Sequence, residues 1–329
     1  MYKEMIDFHT HIYPPNLPDY NKLYDSIQYV TLEKHDGETW MMSEGKKFRR
    51  IHKNCYDLEE RIREMDKTNV QKQVLSIVPI LFHYNVPKKE IGQVVKYMND
   101  FLAACVEKYP DRFMALGSLP MQSVEMCLFE IESMGDRLIG YQIGSNINGK
   151  NLDNEKFYPI WEEMEKRNLI LFVHPWDMMG QEEMTDYWLP WLVGMPAETS
   201  RAICSMMFGG IFDKYPKLKV VFAHGGGSFC GTIGRIQHGY EVRPDLCACK
   251  CKLSPIEYCG KFWTDSLVHS PDALIRLKEL IGEDRIVLGT DYPFPLGEKV
   301  PGSILEEANL GKKINDKIMK GNLLNMLKD

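Results

Sequence analysis

Two histidines stand two residues apart in the run Ile6-Asp7-Phe8-His9-Thr10-His11. Side chains alternate faces along a β-strand, so this spacing sends both imidazoles to one side and brings two nitrogen ligands together without any loop closure. Three further polar groups each close an apolar run: His174 after Leu171-Phe172-Val173, His224 after Val220-Val221-Phe222-Ala223, and Asp291 after Val287-Leu288-Gly289-Thr290. Imidazoles and one carboxylate gathered at one place make a mixed nitrogen and oxygen set suited to Zn²⁺ with an open coordination position. A catalytic zinc keeps about three protein ligands and a water, so not all five groups need bind the ion, and one histidine is left for proton transfer. The chemistry on offer is a water made acidic near neutral pH, with an imidazole beside it to take the proton. After His224 the run Gly225-Gly226-Gly227-Ser228 lets backbone approach the site and opens a helix, and it matches no phosphate-loop or dinucleotide fingerprint.

The elements that must position these groups are legible as apolar runs. Eight short, β-rich stretches cover residues 5–12, 73–80, 113–119, 139–145, 169–174, 218–224, 261–268 and 285–290. Near-continuous apolar runs of this kind are what strands buried on both faces look like. Helical patterns lie between them at 57–69, 89–109, 123–134, 155–167, 198–215, 228–240 and 271–281, with a last one after Ser303. Asp57 followed by Glu60 forms a candidate capping box, and Pro110 and Pro216 sit just past helix ends. Eight strand–helix alternations predict an α/β fold, a single (β/α)8 TIM barrel forming one domain over residues 1–329. Each candidate ligand then closes a strand at its C-terminal end, the face where barrel enzymes build their sites. The polar and aromatic stretch 13–55 shows no repeat and reads as an insertion after strand 1, over the active-site mouth. The fourth strand, Ile139-Gly140-Tyr141-Gln142-Ile143-Gly144-Ser145, has no lysine to carry a bridging carboxylate, so a single metal is expected rather than a pair.

Composition removes whole classes of function. The 329 residues carry 40 basic and 46 acidic side chains, a net charge of −6, with no block of Lys or Arg, so no nucleic-acid or membrane partner is expected. No run approaches the ~20 apolar residues of a membrane span, and the N-terminal MYKEMIDFHTH places charges where a signal peptide is apolar, so a cytosolic location is expected. The 9 cysteines read as reduced thiols. Cys247, Cys249, Cys251 and Cys259 lack the paired C-x-x-C spacing of structural zinc sites and are taken as incidental. His35, His52, His83, His238 and His269 fall in loops or helices and are assigned surface or structural roles, with His269 following the seventh strand on the active-site side.

Longer runs carry a resemblance. His174-Pro175-Trp176-Asp177-Met178-Met179-Gly180, Leu189-Pro190-Trp191-Leu192-Val193, Met195-Pro196-Ala197-Glu198-Thr199, His224-Gly225-Gly226-Gly227-Ser228-Phe229 and Asp291-Tyr292-Pro293-Phe294-Pro295-Leu296-Gly297-Glu298 resemble the metal-dependent decarboxylase branch of the amidohydrolase superfamily, in its 2-amino-3-carboxymuconate-6-semialdehyde decarboxylase family. The resemblance runs from His9 to about Asn322. It implies one Zn²⁺ per subunit held by His9, His11, His174 and Asp291, with His224 as the proton-transfer residue and Asp291 counted with it in catalysis. It further implies that Arg49 and Arg235 hold the carboxylates of a small dicarboxylate substrate, Arg235 reaching the neighbouring subunit's site in a homodimer. Tyr292 and Phe294 match a segment near the site, and Trp176, Trp188 and Trp191 are candidate walls, Trp191 and Phe294 being assigned to the substrate. The implied reaction is non-oxidative loss of CO2 in tryptophan and kynurenine breakdown, away from quinolinate. The alternatives are decarboxylation of another carboxylated aromatic acid, or hydrolysis by a mononuclear-zinc amidohydrolase. Apart from the resemblance, each arginine would read as a solvated surface charge and each tryptophan as packing.

Overall fold

The computed structural model describes residues 4–328. Eight parallel strands lie in the order β1 (Met5–Ile12), β5 (Val70–Ile77), β6 (Phe113–Ser118), β7 (Gly140–Gly144), β8 (Ile170–His174), β9 (Lys219–Phe222), β10 (Trp263–Asp265) and β11 (Ile286–Val287). The ends of this sheet meet through backbone bonds just beyond the last strand: Phe8 N–H to Leu288 O, Asp291 N–H to His9 O and His11 N–H to Tyr292 O, each 2.8 Å. The (β/α)8 barrel expected from the alternation is therefore the observed architecture.

Inside the barrel Ile6, Phe8, Val74, Leu116, Ile170, Phe172, Val221, Ala223 and Val287 form a compact cluster, with Leu323 and Met326 of the C-terminal turn packed into it. Met326 O accepts from Lys219 at the start of β9, so this plug closes the N-terminal end and leaves the C-terminal end open. Burial of each such side chain stabilises the fold by roughly 1.5–3 kcal/mol. The outer layer is made by α2 (Leu58–Thr68), α3 (Lys88–Lys108), α4 (Val124–Met134), α5 (Tyr158–Lys166), α6 (Met195–Phe208), α7 (Ile211–Lys214), α8 (Phe229–Val242), α9 (Pro244–Cys247), α10 (Pro255–Tyr258) and α11 (Pro271–Ile281), after a short α1 (Tyr20–Tyr24). Asp57 caps α2 by accepting from Glu60 N–H at 2.9 Å, and Asn69 ends it in the left-handed region.

Several boundaries differ from the sequence expectation. The strand placed at 73–80 begins at Val70 and ends at Ile77, because Pro79 opens a 3-10 turn and supplies no ladder N–H. The helix placed at 198–215 starts at Met195 and breaks at Gly209-Gly210, where Gly210 adopts φ +74° and α7 follows. The seventh and eighth strands are shorter than 261–268 and 285–290. Segment 13–55 is more ordered than its composition suggested: β2 (Thr31–His35), β3 (Glu38–Ser43) and β4 (Lys46–Ile51) form an antiparallel sheet. Its two turns, Asp36-Gly37 and Glu44-Gly45, hold both central residues at positive φ, the hairpin geometry that matches strand twist.

A candidate metal centre at the barrel mouth

β1 carries a register shift: three steps from Asp7 to Thr10 match two from Gln73 to Leu75 on β5. This bulge lets Ile6 and Phe8 face the barrel core while His9, one residue further on, packs on Phe172 of the same interior at 4.9 Å. His11 then follows on the same side, and the two Nε2 atoms lie 3.0 Å apart. His174 ends β8, His224 follows β9 and Asp291 follows β11, both of the latter at left-handed φ (56° and 58°). Ring centroids of His9, His11, His174 and His224 are 4.9–5.2 Å apart in every measured pair. Asp291 Oδ1 stands 3.1 Å from His11 Nε2 and 3.6 Å from His9 Nε2.

The hydrogen bonds on the far side of each ring fix its tautomer. His9 Nδ1 lies 2.7 Å from an Asp265 carboxylate oxygen, His11 Nδ1 is 3.2 Å from Ile77 O, and His174 Nδ1 is 3.0 Å from Pro175 O. Each of those oxygens only accepts, so each Nδ1 carries the proton and each Nε2 presents a lone pair. Two such lone pairs face each other at 3.0 Å, with a carboxylate oxygen alongside, and His174 Nε2 is buried with no hydrogen-bond partner among the described residues. Facing acceptors repel unless a cation lies between them. Tetrahedral metal–nitrogen bonds of about 2.0–2.1 Å set ligand atoms roughly 3.3 Å apart, close to what is seen. The donor set fits one divalent cation.

Electrostatics agree for three of the four imidazoles. Burial pushes the His224 imidazole down to about 4 and, with three neighbouring imidazoles, holds His174 far below its ordinary value. Burial also lowers His11, Asp291 opposing it. Neutral imidazoles are the form a metal needs. His9 differs: Asp265, helped by Asp291 and Asp7, outweighs burial and raises it, so this ring gives up its second proton as the cation takes its place. For Asp291 burial is outweighed by His11, His9 and His224, which hold the carboxylate ionised.

The five groups chosen from sequence thus all meet. Among the described residues, His9, His174, His224 and Asp291 are the set whose donor atoms lie within 4.8 Å of one another, and His11 joins through its contacts to His9 and Asp291. The tight set includes His224 where the expected ligand set had His11.

Arg49 of β4 and its neighbour Phe48 line the chamber with His11, His174, His224, Asp291, Trp191 and Phe294, as do Trp176 and Trp188. The Arg49 guanidinium sits 4.6 Å from the Phe294 ring centroid, 5.5 Å from Phe48 and 5.7 Å from Trp191. No carboxylate lies within salt-bridge distance of it among the described residues, and burial lowers its pKa. It is a partly buried cation facing the chamber without a salt-bridge partner, the ionised Asp291 of the same chamber acting on it from beyond that distance. A second cavity of about 620 Å³ shares Trp191, Met195, His224, Asp291 and Leu296 with the chamber.

Arg235 lies elsewhere: it is exposed on α8 and lines neither cavity. Tyr292 is not a wall either, since its hydroxyl donates to Glu64 and its ring lies under Arg61. His83, placed in a loop by sequence, is buried against Tyr29 with Nε2 unpartnered. His269 lines the second cavity. Gln142 of the fourth strand is fully buried and donates to Ile77 O. Sequence reasoning missed Asp265, a fully buried carboxylate at the end of β10. The strand-end criterion that found Asp291 would have found it had the strand been ended at 265 rather than 268.

Residues 6–326 match the family model described as Amidohydrolase, and the chain belongs to the amidohydrolase family. Within it the chain is 50% identical, over 98% of its own length and 91% of the relative's, to a 2-amino-3-carboxymuconate-6-semialdehyde decarboxylase of Dictyostelium discoideum. It is 41% identical to the protein of that name in Caenorhabditis elegans, over 92% of this chain and 88% of the other. Among solved structures, IDCase of Metarhizium anisopliae in apo form superposes with a TM-score of 0.87 at 24% identity, covering 99% of this chain and 97% of that one. Dihydroxybenzoic acid decarboxylase of Polaromonas sp. JS666, with bound manganese and 2-nitroresorcinol, gives 0.80 at 21% identity, again over 99% and 97%. At those identities the structural likeness speaks for the barrel fold alone.

Proposed function

We propose that the chain is a metal-dependent carboxy-lyase that converts 2-amino-3-carboxymuconate 6-semialdehyde to 2-aminomuconate 6-semialdehyde and CO2. The observation that carries this is the Arg49 guanidinium, without a salt bridge among the described residues and partly buried, lining one small aromatic chamber with the nest of lone pairs. A carboxylate-bearing, planar, conjugated substrate fits both the guanidinium fork and the aromatic walls. Identity of 50% and 41% to two decarboxylases of that name supports the particular substrate.

The metal is Zn²⁺, one per subunit, held by His9, His11, His174 and Asp291. When bound it supplies Lewis-acid activation beside the substrate. Arg49 binds a carboxylate that stays, while Trp191 and Phe294 hold the conjugated chain flat and exclude water. His224, neutral because it is buried, first takes a proton from a water molecule as the base and then gives that proton up as the acid, the hydroxide left behind being reprotonated from solvent. The bond between carbon 3 and its carboxylate breaks, CO2 leaves, the electron pair remains on carbon 3, and His224 delivers a proton there. Arg235 is exposed in a single chain and has no salt bridge among the described residues, which suits a side chain that completes the neighbouring subunit's site in a homodimer. Residues 1–329 act as one domain with 13–55 as its insertion, in the cytosol, diverting a tryptophan-derived intermediate from quinolinate. No helix among the described residues is long and apolar enough to cross a membrane.

The test is a time course of freshly generated substrate with metal-loaded protein, chelated protein and no protein. Metal-dependent substrate loss with CO2 release and suppressed quinolinate is expected. A metal-loaded protein that leaves the spontaneous rate unchanged, yet releases CO2 from an aromatic acid, would move the assignment to that related decarboxylase.

A further inference from the structure

Asp265 ends β10 fully buried, and both of its oxygens are saturated. One accepts from His9 Nδ1 at 2.7 Å and from the His224 backbone N–H at 2.8 Å. The other accepts from Gly225 N–H at 2.8 Å and Leu267 N–H at 3.1 Å. His224 and Gly225 are both left-handed, at φ 56° and 60°. Their two N–H groups are turned toward this carboxylate, and the left-handed turn is what swings the His224 ring over the nest. Space for the arrangement is made by Gly289, where a Cβ would lie 2.7 Å from Asp265 Cβ and 2.8 Å from His9 Cβ.

We propose that Asp265 is a positioning residue that fixes the tautomer of His9 and the backbone carrying His224 at once, tying the metal-binding and proton-transfer imidazoles to a single carboxylate. The inference rests on the proposed assignment of the nest as a metal site. The chemistry requires a carboxylate and not merely a polar side chain, because four N–H donors converge on two oxygens. An amide offers one oxygen and one NH2. With its oxygen toward His9, the NH2 opposes the N–H groups of Gly225 and Leu267 and the turn is displaced. With its NH2 toward His9, Nδ1 must become the acceptor and the proton moves to Nε2, the atom that has to present its lone pair to the cation. Either way one of the two imidazoles is lost to function.

The experiment uses the full-length protein labelled with ¹⁵N-histidine, with the His9 ring assigned through His9→Gln. In the metal-free wild type, at a pH high enough for the ring to be neutral, His9 is expected as the Nδ1–H tautomer. In Asp265→Asn its ring signals should move to Nε2–H or to a mixture, and Zn²⁺ affinity measured by competition with a chromophoric chelator should fall ~10–100-fold. A neutral wild-type His9 whose single proton sits at Nε2 overturns the proposal without any variant. So does a folded Asp265→Asn whose His9 tautomer is unchanged and whose Zn²⁺ affinity stays within threefold. If the wild type binds no divalent ion, the metal assignment fails, while the tautomer change in Asp265→Asn still reports the positioning role separately. Should Asp265→Asn not fold, Gly289→Ala, which crowds Asp265 and His9 apart without altering either, is expected to shift the same ring signals; unchanged signals there refute the coupling.

Discussion

Removing Arg49 should separate function from stability. The side chain forms no salt bridge among the described residues and keeps its charge against a burial cost, offset by the faces of Phe294, Phe48 and Trp191 and by the more distant charge of Asp291. Cation–π contacts of this kind are worth about 0.5–1 kcal/mol each, and the desolvation they offset is of similar size, so Arg49→Ala should change unfolding free energy by about 1 kcal/mol or less. A substrate carboxylate meeting that guanidinium makes charge-assisted bonds, each worth about 1.5–3 kcal/mol, and two of them in a half-buried chamber amount to about 3–6 kcal/mol. The expected loss in kcat/KM is therefore roughly 10²–10³-fold or more at 1.4 kcal/mol per decade. Arg49→Lys retains the charge without the planar fork and should recover only part of it. Steady-state kinetics beside urea unfolding of the same preparations decide the matter. An Arg49→Ala protein destabilised by more than 2 kcal/mol with kcat/KM within tenfold of wild type would show that the arginine serves the fold, and the carboxylate argument would fall.

Other consequences can be checked alongside. His224→Ala should retain its metal by elemental analysis while turnover falls about 10²–10⁴-fold, the usual yield of a positioned acid–base group; loss of the metal would make His224 a ligand, as its place in the tight four-residue set allows. Mixed subunits of inactive Arg235→Ala and inactive His224→Ala should recover activity if Arg235 serves its partner, and heterodimers without recovery would refute that. His83 gives a stability prediction. Burial lowers its pKa to about 4 against 6.5 in the unfolded chain, so between those values the unfolded state binds more proton and stability falls as pH drops from 6.5 toward 4. The loss amounts to about 3 kcal/mol, and chelated His83→Gln should lack that part of the acid limb seen in chelated wild type on urea unfolding at pH 7.5 and 4.5.

What could be read from sequence and what could not follows from the range of the interactions. The barrel and its five chemical groups were legible because burial on both faces forces apolar runs, and a polar residue closing such a run stands out against them: His174, His224 and Asp291 were each visible for that reason. The hairpins around Asp36-Gly37 and Glu44-Gly45 were also present in local turn chemistry, though the mixed polarity of the flanking residues masked them. Arg49 was different. Its charge is local information, but its lack of a salt-bridge partner is not, because that depends on Phe294 and Trp191, more than a hundred residues away.

By itself the sequence determined the alternation, the strand ends and the residue types able to hold a cation, since these depend on periodicity and on side-chain chemistry. Tertiary structure alone decided where the protons sit. The bulge between Asp7 and Thr10 turned His9 toward the interior, and β10 ended early enough to put Asp265 against its Nδ1. A tautomer is set by what lies on the far side of a ring, and here that partner is 256 residues away, a distance in sequence across which no local pattern carries information.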